Sequence, residues 1–111
     1  MKFCIIINAT EQWKKSLDHA FSLATTMRNE GHQINAVFFY GQAVQLVNDS
    51  GLINQWHQWQ KNNTCQLMLC STFIESSQLI KQAQCANGFE VVSMASWIQA
   101  MEAADRTLEL N

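Results

Sequence analysis

The stretch CQLMLCSTFIES, residues 65–76, decides how this chain is read. Cys65 to Cys70, with its apolar run Leu67-Met68-Leu69-Cys70, reads as a strand buried on both faces, and a helix-like pattern follows it. Cys70 therefore stands where a strand hands over to a helix. One reading makes it a small hydrophobe that closes the strand, since cysteine is among the most buried residue types. The other makes it a thiol presented at a strand end. The first N–H groups of the following helix lack partners and point back toward it, which favours the nucleophilic thiolate. Thr72 and Glu75 argue against the second reading. A T-x-x-E capping box would occupy two of those amides, and Glu75 would bring negative charge near the sulfur. Both readings stay open on these residues.

Outward from this stretch, strand-like and helix-like periods alternate. Lys2 to Asn8 (KFCIIIN) and Ile34 to Tyr40 (INAVFFY) read as two more buried strands. Between them Trp13, Leu17, Ala20, Phe21, Ala24 and Met27 recur at three and four, one face of a helix running from Glu11 to about Asn29. Gly31 stands where a left-handed residue stops a helix. A short helix is expected over Gln42 to Val47. A second follows from Leu52 to Lys61, with Leu52, Ile53, Trp56 and Trp59 on one face. Phe73 to Gln84 reads as one helix and Phe89 to Val92 as a fourth strand. Met94, Trp97, Ile98 and Met101 mark a last helix before a fifth strand, Arg106 to Leu110. Alternation of this kind implies right-handed crossovers. The expected fold is α/β: a three-layer α/β/α sandwich with a mostly parallel sheet of about five strands. Sites in such sheets gather beyond the C-terminal strand ends. That places Asn8, Ala9, Tyr40, Gly41, Cys70 and Ser71 at the working edge.

With 111 residues the chain is expected to form one domain, 1–111, with one core. It is 48% hydrophobic and only 14% charged. That is well under the roughly 25% charge of an ordinary soluble domain, so surface covered by partner subunits is expected. Seven basic against nine acidic residues give a net charge of −2 without a basic stripe, which argues against direct nucleic-acid binding. No apolar run approaches the roughly 20 residues of a membrane span. The apolar run of MKFCIIIN is too short for a signal-peptide core and lacks a cleavage site. The expectation is a cytoplasmic protein with four reduced cysteines.

No C-x-x-C pair is present, so neither a zinc ribbon nor a thioredoxin-type site is expected. Cys4 lies inside the first strand. Cys65 is roughly 16 Å from Cys70 at strand rise, and Cys85 returns to the opposite edge, so neither can bridge to Cys70 within one subunit. Cys65 and Cys85 share that far edge. A phosphatase-type loop would need arginine at position 76, which is Ser76, and a rhodanese-like loop would need glycines and a cation. There is no G-x-G-x-x-G and no P-loop, and NATEQW supplies only Thr10 for a flavin phosphate, so no cofactor is expected. No metal is expected either, because His19, His32 and His57 share no ligand spacing. His57 falls off the Trp56–Trp59 face and reads as solvated. The two tryptophans read as core or interface.

Several of these segments resemble the DsrE/TusD family of small sulfur-relay proteins. MKFCIIIN is similar to that family's first strand, AVFFYGQAV to its second strand and turn, LMLC to the strand carrying the relay cysteine, and ADRTLEL to its closing strand. The resemblance implies the same sandwich, assembly into homo- or hetero-oligomers (trimers or hexamers), and a cysteine that carries persulfide sulfur. On this chain that residue is Cys70. Tyr40, Gly41, Ser71 and Thr72 are the candidate binding residues around it, with Tyr40 equally suited to packing. The implied function is a sulfur relay that accepts a persulfide sulfur from a donor protein and passes it to a partner thiol, of tRNA-thiolation or sulfur-oxidation type. After Cys70 the chain reads STFIESSQ, where active TusD-like members carry an Arg-Gly pair. That departure leaves open whether Cys70 makes this chain a sulfurtransferase. The alternatives are a catalytically silent scaffold subunit of a hetero-oligomer, or a small-anion or nucleotide-binding module.

Overall fold

The apolar, β-branched runs form the strands and the periodic segments between them form the crossovers. The structure, a computed structural model, describes residues 1–61 and 65–111. Five strands, β1 (Lys2–Ala9), β2 (Gln33–Gly41), β3 (Gln66–Cys70), β4 (Phe89–Val92) and β5 (Arg106–Leu110), make one sheet in the order β4-β3-β2-β1-β5. All four pairings are parallel. The helices are α1 (Trp13–Asn29), α2 (Ser50–Lys61), α3 (Ser71–Ser76), α4 (Ile80–Gln84) and α5 (Met94–Glu102), with a 3-10 helix over Gln42–Asn48. This is the expected α/β architecture, with all the strands found. Among the described residues no helix is long and apolar enough to cross a membrane.

Consecutive residues of a strand face opposite sides, and β2 shows what each side holds. Phe39 meets Trp56 of α2 edge-on at 5.3 Å, and Trp56 also meets Phe21 of α1 at 5.1 Å. Phe38, pointing the other way, stacks on Trp97 of α5 at 4.9 Å. Trp56, Trp97, Phe38 and Phe39 are essentially inaccessible. The tryptophans of α2 are therefore core. Arg28 of α1 sits over the Trp59 ring at 5.3 Å and donates to the Trp59 carbonyl at 3.2 Å, tying α1 to α2.

Termini of the helices follow side-chain chemistry. Gly31, at φ +90, ends α1: its N–H donates to Arg28 O and that of His32 to Met27 O, a Schellman arrangement. Ser93 caps α5, accepting from the Ser96 N–H at 3.3 Å. The one helix expected over Phe73 to Gln84 is two. Gln78 adopts φ +59, Leu79 N–H donates to Ile74 O at 2.9 Å and Gln78 N–H to Glu75 O at 3.1 Å. Buried Leu79 and Ile74 supply the apolar pair that accompanies this stop. Polar Ser76-Ser77-Gln78 resists helix only weakly, so tertiary burial of Leu79 decides the break. A left-handed conformation costs a non-glycine residue roughly 1–2 kcal/mol. Gln78→Gly is therefore expected to stabilise the fold by about 1 kcal/mol, less the entropy glycine adds to the unfolded chain, measured by urea unfolding.

Candidate functional site at the C-terminal edge of the sheet

A row of side chains crosses the sheet at its C-terminal edge. Asn8 of β1 pairs with Tyr40 of β2, and Cys70 of β3 with Val92 of β4. Phe39 pairs with Leu69, so one step further along the register sets Tyr40 level with Cys70. Met68 and Val92 line a cavity with Ser96, Gln99 and Ala100 of α5. Cys70, two residues from Met68, therefore lies on the α5 face of the sheet.

Cys70 ends β3 and is the N-cap residue of α3, with extended backbone at φ −68 and ψ 118. The expected Thr72–Glu75 capping box is absent. The helix starts at Ser71, two residues earlier than that motif needs, and no side chain caps it. Thr72 and Glu75 are exposed and Ser71 is half-buried. Cys70 is thus placed where Ser, Thr or Asp would ordinarily accept from the second or third helical N–H. A sulfur anion there would meet those unused donors.

Against the expectation of an open thiol, Cys70 is only 3% exposed and lines none of four cavities at the surface. The reason is its side: it points under the α5 layer rather than out of the sheet edge. Tyr40 is half-buried, its ring 4.7 Å from Phe73 in an edge-on contact and 6.0 Å from Phe38. It packs on the helix that follows Cys70. Gly41 is buried at φ +63, and a Cβ there would lie 2.7 Å from Ala9 O, so only glycine lets β1 and β2 approach at this corner. A cavity of about 350 Å³ opens beside it, lined by Asn8, Thr10, Gly41, Gln42 and Phe73 among others. It gathers Gly41 from the expected set and leaves out Cys70, Tyr40, Ser71 and Thr72.

All four cysteines are free: Cys4, Cys65 and Cys70 buried and Cys85 exposed. Burial pushes the Cys65 thiol up to about 12, with Cys4 nearby adding to the rise and Arg28 opposing it. Cys4 is raised for the same reason, offset in part by its backbone hydrogen bond with Ala36. Its Sγ donates to Ala100 O at 3.4 Å. Both are packing residues. His57 departs from its expected solvated position: it is half-buried, with a buried Nδ1 that has no hydrogen-bond partner. No group of three or more His, Cys, Asp or Glu side chains among the described residues could hold a metal ion.

A parallel α/β sheet with a cysteine at the end of its third strand, capping the next helix, defines a class of small thiol-bearing proteins. The DsrE/DsrF-like family model matches residues 1–110, and the chain belongs to that family. It is similar to a sulfurtransferase TusD homolog of Vibrio vulnificus strain YJ016, 24% identical with 98% of this chain and 97% of the relative covered. The sulfurtransferase TusD of Photorhabdus laumondii is 21% identical over the same shares of the two chains. Among solved structures, the ychN protein from E. coli superposes with a TM-score of 0.78 at 17% identity, covering 98% of each chain. A Bacteroides thetaiotaomicron protein of unknown function, BT1422, gives 0.72 at 15% identity, covering 96% of this chain and 93% of its own.

The raised thiols set an alkaline limit. The folded state holds the Cys65 proton well above the usual value of about 9. Its contribution to stability is thus complete below that value and is lost as pH climbs toward 12. At about 1.4 kcal/mol per pH unit, Cys65 alone accounts for on the order of 4 kcal/mol. Urea unfolding between about pH 9 and pH 11 is expected to show a steady fall in stability that Cys65→Val makes shallower.

Proposed function

We propose that this chain is a sulfur-relay subunit in which Cys70 accepts and donates sulfane sulfur. The observation that carries this reading is the placement of Cys70 as the last residue of β3 and the N-cap of an otherwise uncapped α3. Family membership and the names of the TusD relatives support it. The Cys70 thiolate attacks the terminal sulfur of a donor persulfide. A new S–S bond forms to Cys70, the donor's S–S bond breaks, and the donor leaves as a thiolate. An acceptor thiolate then attacks the terminal sulfur on Cys70, takes it as its own persulfide, and frees the Cys70 thiolate. The first-turn amides of α3 are placed to stabilise the anion in each state, and neither step calls for a metal or organic cofactor.

Access comes through local opening. Within α3 only Ile74 is buried, with Phe73 half-buried, so this segment belongs to the weakly held part of the fold. Donor and acceptor proteins dock at the same sheet edge, where the cavity beside Gly41 and Phe73 offers a foothold. Met94 and Ile98, 43% and 44% exposed and one turn apart on α5, supply an apolar stripe for subunit assembly. We place the protein in the cytoplasm, where thiols stay reduced.

The 3% exposure of Cys70 favours a second reading, a silent scaffold subunit that pairs with a cysteine-active paralogue. One experiment separates the two. Native protein treated with a persulfide donor is expected to gain one sulfur atom on Cys70 by peptide mass mapping, and Cys70→Ser to gain none there. A Cys70 that stays unmodified while the protein forms a stable hetero-oligomer supports the scaffold. Ile74→Ala, which loosens α3, is expected to speed Cys70 alkylation by about tenfold or more in the native protein. An unchanged rate would exclude this route to the sulfur.

A further inference from the structure

At the opposite edge of the sheet, where α4 returns the chain to the start of β4, a second thiol has the openness that Cys70 lacks. We propose that Cys85 and His57 form a separate thiol site that takes up low-molecular-weight peptide disulfides, of the glutathione class, as a mixed disulfide. Both residues line one cavity of about 260 Å³, together with Ser50, Ile53, Asn54 and Asn87. That volume is slightly below the roughly 300 Å³ at which pockets begin to hold drug-sized ligands. It admits the cysteinyl portion of a small peptide and no protein domain. Cys85 is the one exposed thiol of the four. The two asparagines and Ser50 give the cavity amide and hydroxyl groups that suit the peptide groups of such a ligand.

The imidazole is seated by the same loop that carries the thiol. Gly88 has φ +87, and a Cβ there would collide with His57 Nδ1 and lie 2.6 Å from Gln60 Oε1. Gln60 is itself anchored, its Nε2 donating to Cys65 O at 3.0 Å. Nδ1 is thus held against the Gly88 backbone, buried and without a hydrogen-bond partner, while His57 as a whole remains half-exposed on the cavity wall. That leaves Nε2 as the ring nitrogen assigned to proton exchange with the cavity in this proposal. A backbone glycine that makes room for an imidazole, three residues beyond an exposed cysteine in the same cavity, is more than an isolated surface thiol.

In the reaction, His57 Nε2 accepts the Cys85 proton and the resulting thiolate attacks one sulfur of the incoming disulfide. The incoming S–S bond breaks as the S–S bond to Cys85 forms. The departing thiolate takes the proton back from His57. One disulfide is consumed and one is made, so Cys85 is oxidised at the expense of half of the incoming disulfide. This site does not depend on Cys70 carrying sulfur.

The test uses the full chain and glutathione disulfide, followed by peptide mapping. Cys85 is expected to carry the adduct first and predominantly, at the same rate in Cys70→Ser. Cys85→Ser is expected to carry none. His57→Ala is expected to slow the reaction by about a hundredfold, the lower end of general base catalysis, and added free imidazole to restore much of the rate. Equal rates in wild type and His57→Ala would overturn the proposal, leaving Cys85 an ordinary surface thiol. So would a His57→Ala defect that imidazole cannot relieve, which marks a packing role. A Cys85 adduct from glutathione disulfide, together with no sulfur gained by Cys70 in the separate persulfide-donor treatment, would sink the relay reading and leave this one standing.

Discussion

The handedness of the parallel crossover governs where everything else can lie. From β1 to β2, β3 and β4 the chain steps across the sheet in one direction, and from β4 to β5 it jumps back past β1. Right-handed connections then send the early helices to one face and the β4-to-β5 helix to the other. The aromatic contacts agree: Phe39 meets α2 on one side while Phe38 meets α5 on the other. One face is layered with α1 and α2, and the other rests on α5, a helix of nine residues. Cys70 belongs to the α5 face. Its burial and its nearness to the sheet edge are both consequences of strand order.

That placement separates two properties which a cysteine at a strand end is usually assumed to share. The first-turn N–H groups of α3 follow Cys70 directly in the chain, so their place relative to that residue is set by two consecutive elements. Solvent access depends instead on the layers over Cys70, where Ile74 is the buried residue of α3 and Trp97 that of α5. A thiol acting in the proposed relay would gain from this arrangement. A persulfide exposed at all times would lose its sulfur to any thiol present, whereas one uncovered by a docking partner releases it selectively.

Strand positions and the α/β class were legible because continuous apolar runs such as FCIII and AVFF admit few other readings. Cys70 at the junction was legible for the same reason. The break at Gln78 was hidden, since the residue that usually announces a left-handed stop is glycine and here tertiary burial of Leu79 imposes it. The Thr72–Glu75 spacing suggested a cap, but helix register is set by where β3 leaves the ladder, and β3 leaves at Cys70. The burial of Cys70 was hidden too, because a sequence gives the parity of a strand but not which layer covers each face. His57 reads as solvated by its helical phase alone. Only Gly88, thirty-one positions away, explains why an imidazole sits half-buried there, and the sequence signal for it was no more than an Asn-Gly pair before a strand.

The four thiols end up graded by their surroundings more than by their spacing. Cys4 and Cys65 are held as neutral packing groups, with burial pushing both toward the protonated form. Cys70 is covered at the N-cap of a helix that no side chain caps, and Cys85 is exposed in a cavity that His57 also lines. A thiol needs both a way in and a partner that manages its proton or charge before it reacts usefully. In this chain the first pair has neither; under the proposed relay Cys70 would use the α3 amides and gain its way in by opening, while the proposed Cys85 site would have both at rest. On the two proposals, selectivity between a protein-borne persulfide and a small disulfide would follow from access alone: the covered sulfur would answer to a docked macromolecule, the open one to whatever fits a cavity of about 260 Å³.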